Sequence, residues 1–142
     1  MGILCLVSCV ATQNKSKEAL EFIDPNTYQL YEVAKNASYA YTSKYPVKVG
    51  GQAKNEGRLN ARRYLNALLG TDGKKVTYKL LKSCCYEKTK NNEGAKKLTF
   101  LDKYELEIEG TNRRSIIFIS TFEKADMLAP KGFSFRIKKE EE

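Results

Sequence analysis

Leu101-Asp102-Lys103-Tyr104-Glu105-Leu106-Glu107-Ile108-Glu109, then Gly110-Thr111-Asn112, then Arg114-Ser115-Ile116-Ile117-Phe118-Ile119-Ser120-Thr121-Phe122-Glu123, is the stretch that decides the fold. In its first half Tyr104, Leu106 and Ile108 alternate with Lys103, Glu105, Glu107 and Glu109, the period-2 pattern of a strand with one wet face. Its second half is apolar at both parities around Ile116–Ile119, so it belongs in the middle of a sheet. Gly110-Thr111-Asn112 between the halves suits a hairpin connection.

Working outward, Val76 to Cys85 opens after the Asp72-Gly73 turn signal and reads as a further strand. Downstream, Phe133, Phe135 and Ile137 alternate with Ser134, Arg136 and Lys138 as a last strand. Between Asn55 and Leu69 the period changes: Ala61, Leu65, Leu68 and Leu69 form one apolar stripe, with Asn55 placed to cap and Gly70 to end a helix. Tyr39, Tyr41 and Tyr45-Pro46-Val47-Lys48-Val49 read as a strand that Pro46 confines to an edge or an end. Asp24-Pro25-Asn26-Thr27 followed by Leu30, Tyr31, Ala34 and Ala37 predicts a short helix over Thr27–Asn36. A helix, a strand, a helix and four strands in series leave no room for βαβ repeats. The expectation is an α+β domain: a mostly antiparallel sheet of about five strands, one main helix on its apolar face and a short N-terminal helix.

With 142 residues the chain is one domain's worth, and 42% apolar with 30% charged residues is ordinary for a folded protein. Histidine is absent, which removes imidazole catalysis and His-ligated metal from consideration. A net charge of +8 favours acidic partners without choosing among phosphates, anionic lipid and acidic protein. Arg58, Arg62, Arg63, Lys74, Lys75, Lys79, Lys82 and Lys88, interleaved with Tyr64, Tyr78 and Tyr86, have the composition of a nucleic-acid surface, but no recognition signature accompanies them.

The first residues, Met1-Gly-Ile-Leu-Cys-Leu-Val-Ser-Cys9, are apolar, uncharged and far shorter than the ~20 residues that span a bilayer. Leu6-Val7-Ser8-Cys9 is similar to the bacterial lipobox, in which the cysteine is acylated after cleavage. That reading makes 1–8 a signal remnant, 9–23 a tether lipid-anchored through Cys9, 24–138 the domain and 139–142 a charged tail. It also expects a start upstream of Met1, because no basic n-region is present. The alternative is a buried strand holding Cys5 and Cys9 as free thiols.

Chemistry-bearing patterns are sparse. Cys84-Cys85 admits a vicinal disulfide, a pairing with Cys5 or a partner thiol, or two thiols on opposite strand faces. Gly50-Gly51 and Gly70–Gly73 lack the Gly-Lys-Ser/Thr continuation of a phosphate loop and read as turns, so no cofactor is expected. Asp102, Glu105, Glu107 and Glu109 read as the solvated face of one strand rather than as an acid and base pair. Glu87–Gly94 reads as a polar loop.

Six short runs, Tyr45-Pro-Val-Lys-Val-Gly-Gly51, Arg63-Tyr-Leu-Asn-Ala-Leu-Leu-Gly70, Asp72-Gly-Lys-Lys-Val-Thr-Tyr78, Ser83-Cys-Cys85, Leu101-Asp-Lys-Tyr-Glu105 and Leu128-Ala-Pro-Lys-Gly-Phe133, give the chain from Tyr39 to Phe133 its character. It resembles a family of small Bacteroidota lipoproteins of unestablished function, some of which carry the label 2-dehydro-3-deoxyphosphooctonate aldolase. Such an aldolase is a barrel of about 250 residues with eight strand-helix repeats, which this chain does not have. The resemblance implies an outer-membrane lipoprotein. Val10, rather than Asp, follows Cys9, so nothing marks it for inner-membrane retention. The function expected is a non-catalytic accessory or binding subunit, held by outer-membrane lipid through acylated Cys9. Its Gly50-Gly51 turn and Ser83-Cys84-Cys85 region would contact a larger envelope protein. The alternatives are a thiol-based redox protein using Cys84 and Cys85, and a basic nucleic-acid-binding module if the chain is cytoplasmic.

Overall fold

The computed structural model describes residues 20–90 and 96–139, and side chains are described within the two longest strands only as far as Tyr86 and from Leu98 onward. Among the described residues there are three sheets and one α-helix. A four-stranded sheet is built from β3 (Val47–Lys48), β5 (Val76–Lys90), β6 (Lys96–Ile108) and β7 (Arg114–Ser120) in the order β3-β7-β6-β5. Two-stranded sheets join β1 (Phe22–Asp24) to β2 (Thr27–Tyr28), and β4 (Leu68–Gly70) to β8 (Phe133–Phe135). The helix α1 spans Gly57–Leu65, preceded by a 3-10 turn at Gln52–Lys54.

The deciding stretch folds as its alternation dictates. β6 and β7 pair antiparallel, with Tyr104 opposite Ile117 and Asp102 opposite Ile119, and both strands are interior to the sheet. Thr111 closes the connecting turn by bonding its N–H and hydroxyl to the carbonyl of Ile108. Ile117, Ile119, Tyr104, Leu106 and Ile108 share the buried face with Ala61, Tyr64 and Leu65 of α1. The opposite face carries Glu105 and Glu107, which meet Lys79 and Arg114 at 3.6 and 3.7 Å.

The sheet is mixed, not wholly antiparallel, because β3 runs parallel to β7 with Val47 opposite Ile119. β3 is an edge strand, the position Pro46 permits. The expected strand over Tyr39–Val49 shrinks to two residues, because residues 36–45 form successive turns, with Tyr39, Tyr41 and Tyr45 bonding back to the carbonyls of Asn36, Ser38 and Thr42.

The short helix expected over Thr27–Asn36 does not form. Pro25-Asn26 is instead the turn of the β1–β2 hairpin, with the Asn26 N–H on Asp24 Oδ1 at 2.8 Å, the bond by which Asp side chains initiate turns. The backbone beyond it bonds across the molecule: Ala34 N–H donates to the Ala129 carbonyl and Ala129 N–H to that of Glu32. Tertiary partners therefore replace the i−4 bonds that the spacing of Leu30 and Ala34 would allow. β1 also begins inside the stretch assigned to a tether, at Phe22.

The main helix is shorter than Asn55–Leu69. Asn55 lies in the left-handed region (φ 59°) at the end of the 3-10 turn, and Glu56 precedes the first helical residue. At the other end Leu68, Leu69 and Gly70 pair with Phe135, Ser134 and Phe133, so Gly70 belongs to a strand and does not cap the helix. Leu68 is buried as a strand residue opposite Phe135 of β8. The last strand ends at Phe135, leaving Ile137 exposed. Glu87–Lys90, expected as loop, continue β5. Cys5, Cys9, 91–95 and 140–142 lie outside the described residues.

Candidate functional site

β5 and β6 are far longer than their neighbours, and this asymmetry creates the site. β7 pairs with β6 only from Asp102 to Glu107, so beyond Leu101 the β5–β6 hairpin continues as a two-stranded arm. Residues facing one another on paired strands share a face. One continuous face therefore runs through Val76/Ile108, Tyr78/Leu106 and Leu80/Tyr104, then Ser83/Asp102, then Tyr86/Phe100. In its first part Val76, Ile108, Leu106 and Tyr104 are buried, while Leu80 is 37% exposed. Its last part is open: Tyr86, Leu98 and Phe100 are 66%, 58% and 51% exposed, and the Tyr86 and Phe100 rings lie 4.9 Å apart.

A polar cluster marks the boundary between the two parts. Asp102, with only 9% of its side chain exposed, accepts from Arg58 Nε at 2.8 Å and Nη2 at 3.3 Å, and from Ser83 Oγ at 2.8 Å. A buried carboxylate requires such partners. Arg58 stands in the first turn of α1, and the helix comes this close because Gly57 has no side chain: a Cβ there would lie 2.6 Å from Thr121 Cβ. Tyr104 follows Asp102 on the same face. Burial, and secondarily the Asp102 carboxylate, push its phenol up to about 12.

The strand alternation put Asp102 with Glu105, Glu107 and Glu109 on a solvated face; the structure puts it on the core face, since an even-numbered position follows Tyr104 and Leu106. Parity alone carried that information. Arg58 was visible only as one cation among many.

Cys84 and Cys85 are bonded to each other as a vicinal disulfide. They do not occupy opposite faces of a regular strand, because β5 carries a bulge here: Cys84 faces Leu101, Tyr86 faces Phe100, and Cys85 is the extra residue with φ 45°. A second bulge lies at Leu81. Ser83-Cys84-Cys85 thus joins the polar cluster to the exposed aromatic pair. The Gly50-Gly51 turn leads into α1, the helix that carries Arg58. Gly50 is buried, both glycines have positive φ, and Asn60 Nδ2 donates to the carbonyls of Val49 and Gly50, which fixes the chain entering α1. It offers no exposed contact surface at Gly50.

The cluster is satisfied internally. Both oxygens of Asp102 are engaged by Arg58, and Ser83 donates to the same carboxylate, so neither group is left directed at a third molecule. Among the described residues no three cysteines or carboxylates converge as a metal site, and no helix is long and apolar enough to cross a membrane. No family model, no curated protein and no solved structure matches this chain.

Proposed function

We propose that this chain is a non-catalytic binding subunit, carried at the bacterial outer membrane by a lipid on Cys9, that docks a larger envelope protein along the arm of β5 and β6. The observation that carries the reading is the apolar sheet face that emerges from the core at Asp102 and ends in Tyr86, Leu98 and Phe100. Exposed aromatics on a fixed support are favoured anchors at protein interfaces, and Leu101 and Thr99, which alternate with Phe100 along β6, are buried, so the side that carries Tyr86, Leu98 and Phe100 is the open one. The Arg58–Asp102–Ser83 cluster holds the base of the arm.

Purification from native envelope in mild detergent is expected to recover the chain in fixed ratio with one outer-membrane protein. Tyr86→Ser with Phe100→Ser abolishes that recovery while leaving thermal stability unchanged. Recovery of the unaltered chain as free monomer overturns the reading. The anchor has its own test: intact mass from native membrane begins at Cys9 with added acyl chains, and Cys9→Ala moves the protein to the soluble fraction.

The vicinal disulfide favours a second reading, a thiol-based redox function of Cys84 and Cys85. It requires that a dithiol reductant convert the pair to two thiols reversibly, and that serine at both positions abolish a phenotype that the arm variants leave intact. Wild-type behaviour of the double serine variant in every assay removes it.

A further inference from the structure

A second surface, away from the arm, has the make-up of an anion site. The first residues of β5, the β1–β2 hairpin and the segment after β8 enclose a cleft of about 840 Å³, the size of a small-molecule site. Lys75, Arg136, Lys138 and Lys139 line it, and among the described lining residues Asp24 is the one carboxylate. The ion pairs among the described residues are Lys48–Glu123, Arg58–Asp102, Lys74–Asp72, Lys79–Glu105 and Arg114–Glu107, so among the described residues no carboxylate pairs with any of the four cleft cations.

These cations are not a waving tail. Arg136 N–H donates to the Ala67 carbonyl at 2.8 Å, and its Nε to the Asn66 carbonyl at 2.7 Å. Gln29 clamps the same segment from the other side, donating to the Arg136 carbonyl and accepting from the Lys138 N–H at 2.8 Å. The floor is equally fixed: Tyr78 donates its hydroxyl to Asn66 Oδ1 at 2.7 Å. Holding like charges around one concave space is unfavourable in itself and becomes favourable when an anion enters. A guanidinium with its Nε already engaged presents its terminal nitrogens as a fork suited to phosphate. Ile23, Val76 and Ile137 add apolar lining beside the cations.

We infer that this cleft binds a phosphate ester with an apolar portion, the phosphate held by Arg136, Lys75 and Lys138 and the remainder seated against Ile137 and Tyr78. The phosphate belongs either to a soluble ester or to a phospholipid headgroup, and both present the same group to the cleft.

The test titrates the full chain with inorganic pyrophosphate, and separately with phosphatidylglycerol vesicles, following amide shifts and sedimentation. Pyrophosphate is expected to bind saturably, to move the amides of residues 75–78 and 136–138, and to weaken as salt is added. Lys75→Gln with Lys138→Gln, two exposed lysines without side-chain partners among the described residues, weakens binding by about tenfold. Lys54→Gln with Lys131→Gln removes the same net charge elsewhere and leaves binding unchanged. Binding of pyrophosphate alone assigns the site to a soluble ester. Vesicle binding that only the first pair of substitutions reduces assigns it to a headgroup. Equal weakening by both pairs, or no binding of either probe, overturns the proposal.

Discussion

Removing Arg58 exposes how the arm is attached. Arg58→Ala leaves Asp102, 9% exposed, with Ser83 as its remaining partner in the cluster. Deleting one member of a fully buried ion pair costs about 3–5 kcal/mol because the other charge stays behind. Arg58 is itself 53% exposed, and water reaches this pair from the arginine side, which brings the expected loss to about 2 kcal/mol. Asp102→Asn preserves the shape and one acceptor, and strands a guanidinium that solvent can still reach, so its cost is about 1 kcal/mol. In the double variant neither charge is left unpaired. Its cost is expected to fall short of the sum of the singles by about 1 kcal/mol, the signature of direct contact. Urea denaturation reads all three: with a slope of about 2 kcal/mol per molar, Arg58→Ala lowers the midpoint by about 1 M with the slope unchanged. A shift under about 0.3 M, or singles that add in the double, refutes the reasoning and makes the cluster an ordinary surface pair.

Gly57→Ala would gain about 1 kcal/mol from helix propensity alone, but the new methyl meets Thr121 Cβ at 2.6 Å, so thermal unfolding is expected to show a net loss of more than about 1 kcal/mol. Gly73→Ala, where nothing lies within 4 Å, bears only the strain of its φ of 83° and costs about 1 kcal/mol. Tyr64 is fully buried and donates its hydroxyl to the Leu128 carbonyl at 2.7 Å, so Tyr64→Phe strands that acceptor and lowers stability by about 1–2 kcal/mol in the same assay. Alkaline pH acts through Tyr104: the unfolded phenol ionises from about 10 and the folded one from about 12, so the unfolded chain holds fewer protons in that window and stability falls as pH rises. At pH 11 this one residue removes on the order of 1 kcal/mol relative to pH 8. Burial raises Tyr28, Tyr39, Tyr41, Tyr64 and Tyr78 in the same direction, and an unfolding midpoint that does not move between pH 8 and 11 would count against all of them.

The sequence by itself determined the elements whose periodicity serves a single partner surface. Tyr104-Glu105-Leu106-Glu107-Ile108 has one dry and one wet face, and the structure keeps both. Ala61 and Leu65 form a helical stripe, and they bury it. Where one pattern satisfies two conformations, only the tertiary structure decided. Leu30 and Ala34 are four apart and both buried, yet the Ala34 N–H bonds to the Ala129 carbonyl and the Leu30 carbonyl accepts from Gln29 Nε2 in place of a helical turn. Leu68 and Leu69 continue a helical stripe and equally begin a strand, and β8 supplied the partner. The functional surfaces belong to the same class. A one-residue bulge at Cys85 makes neighbours of two sulfurs that regular alternation would separate. Arg58 and Asp102, 44 residues apart, meet only because Gly57 lets a helix approach a strand. Arg136 reaches the cleft that Lys75 lines, through hydrogen bonds with Gln29, Asn66 and Ala67, none of which carries a charge that composition would record. Periodicity reports what a segment does against its nearest surface, whereas a site assembled from three segments depends on backbone bonds whose partners are distant in the chain.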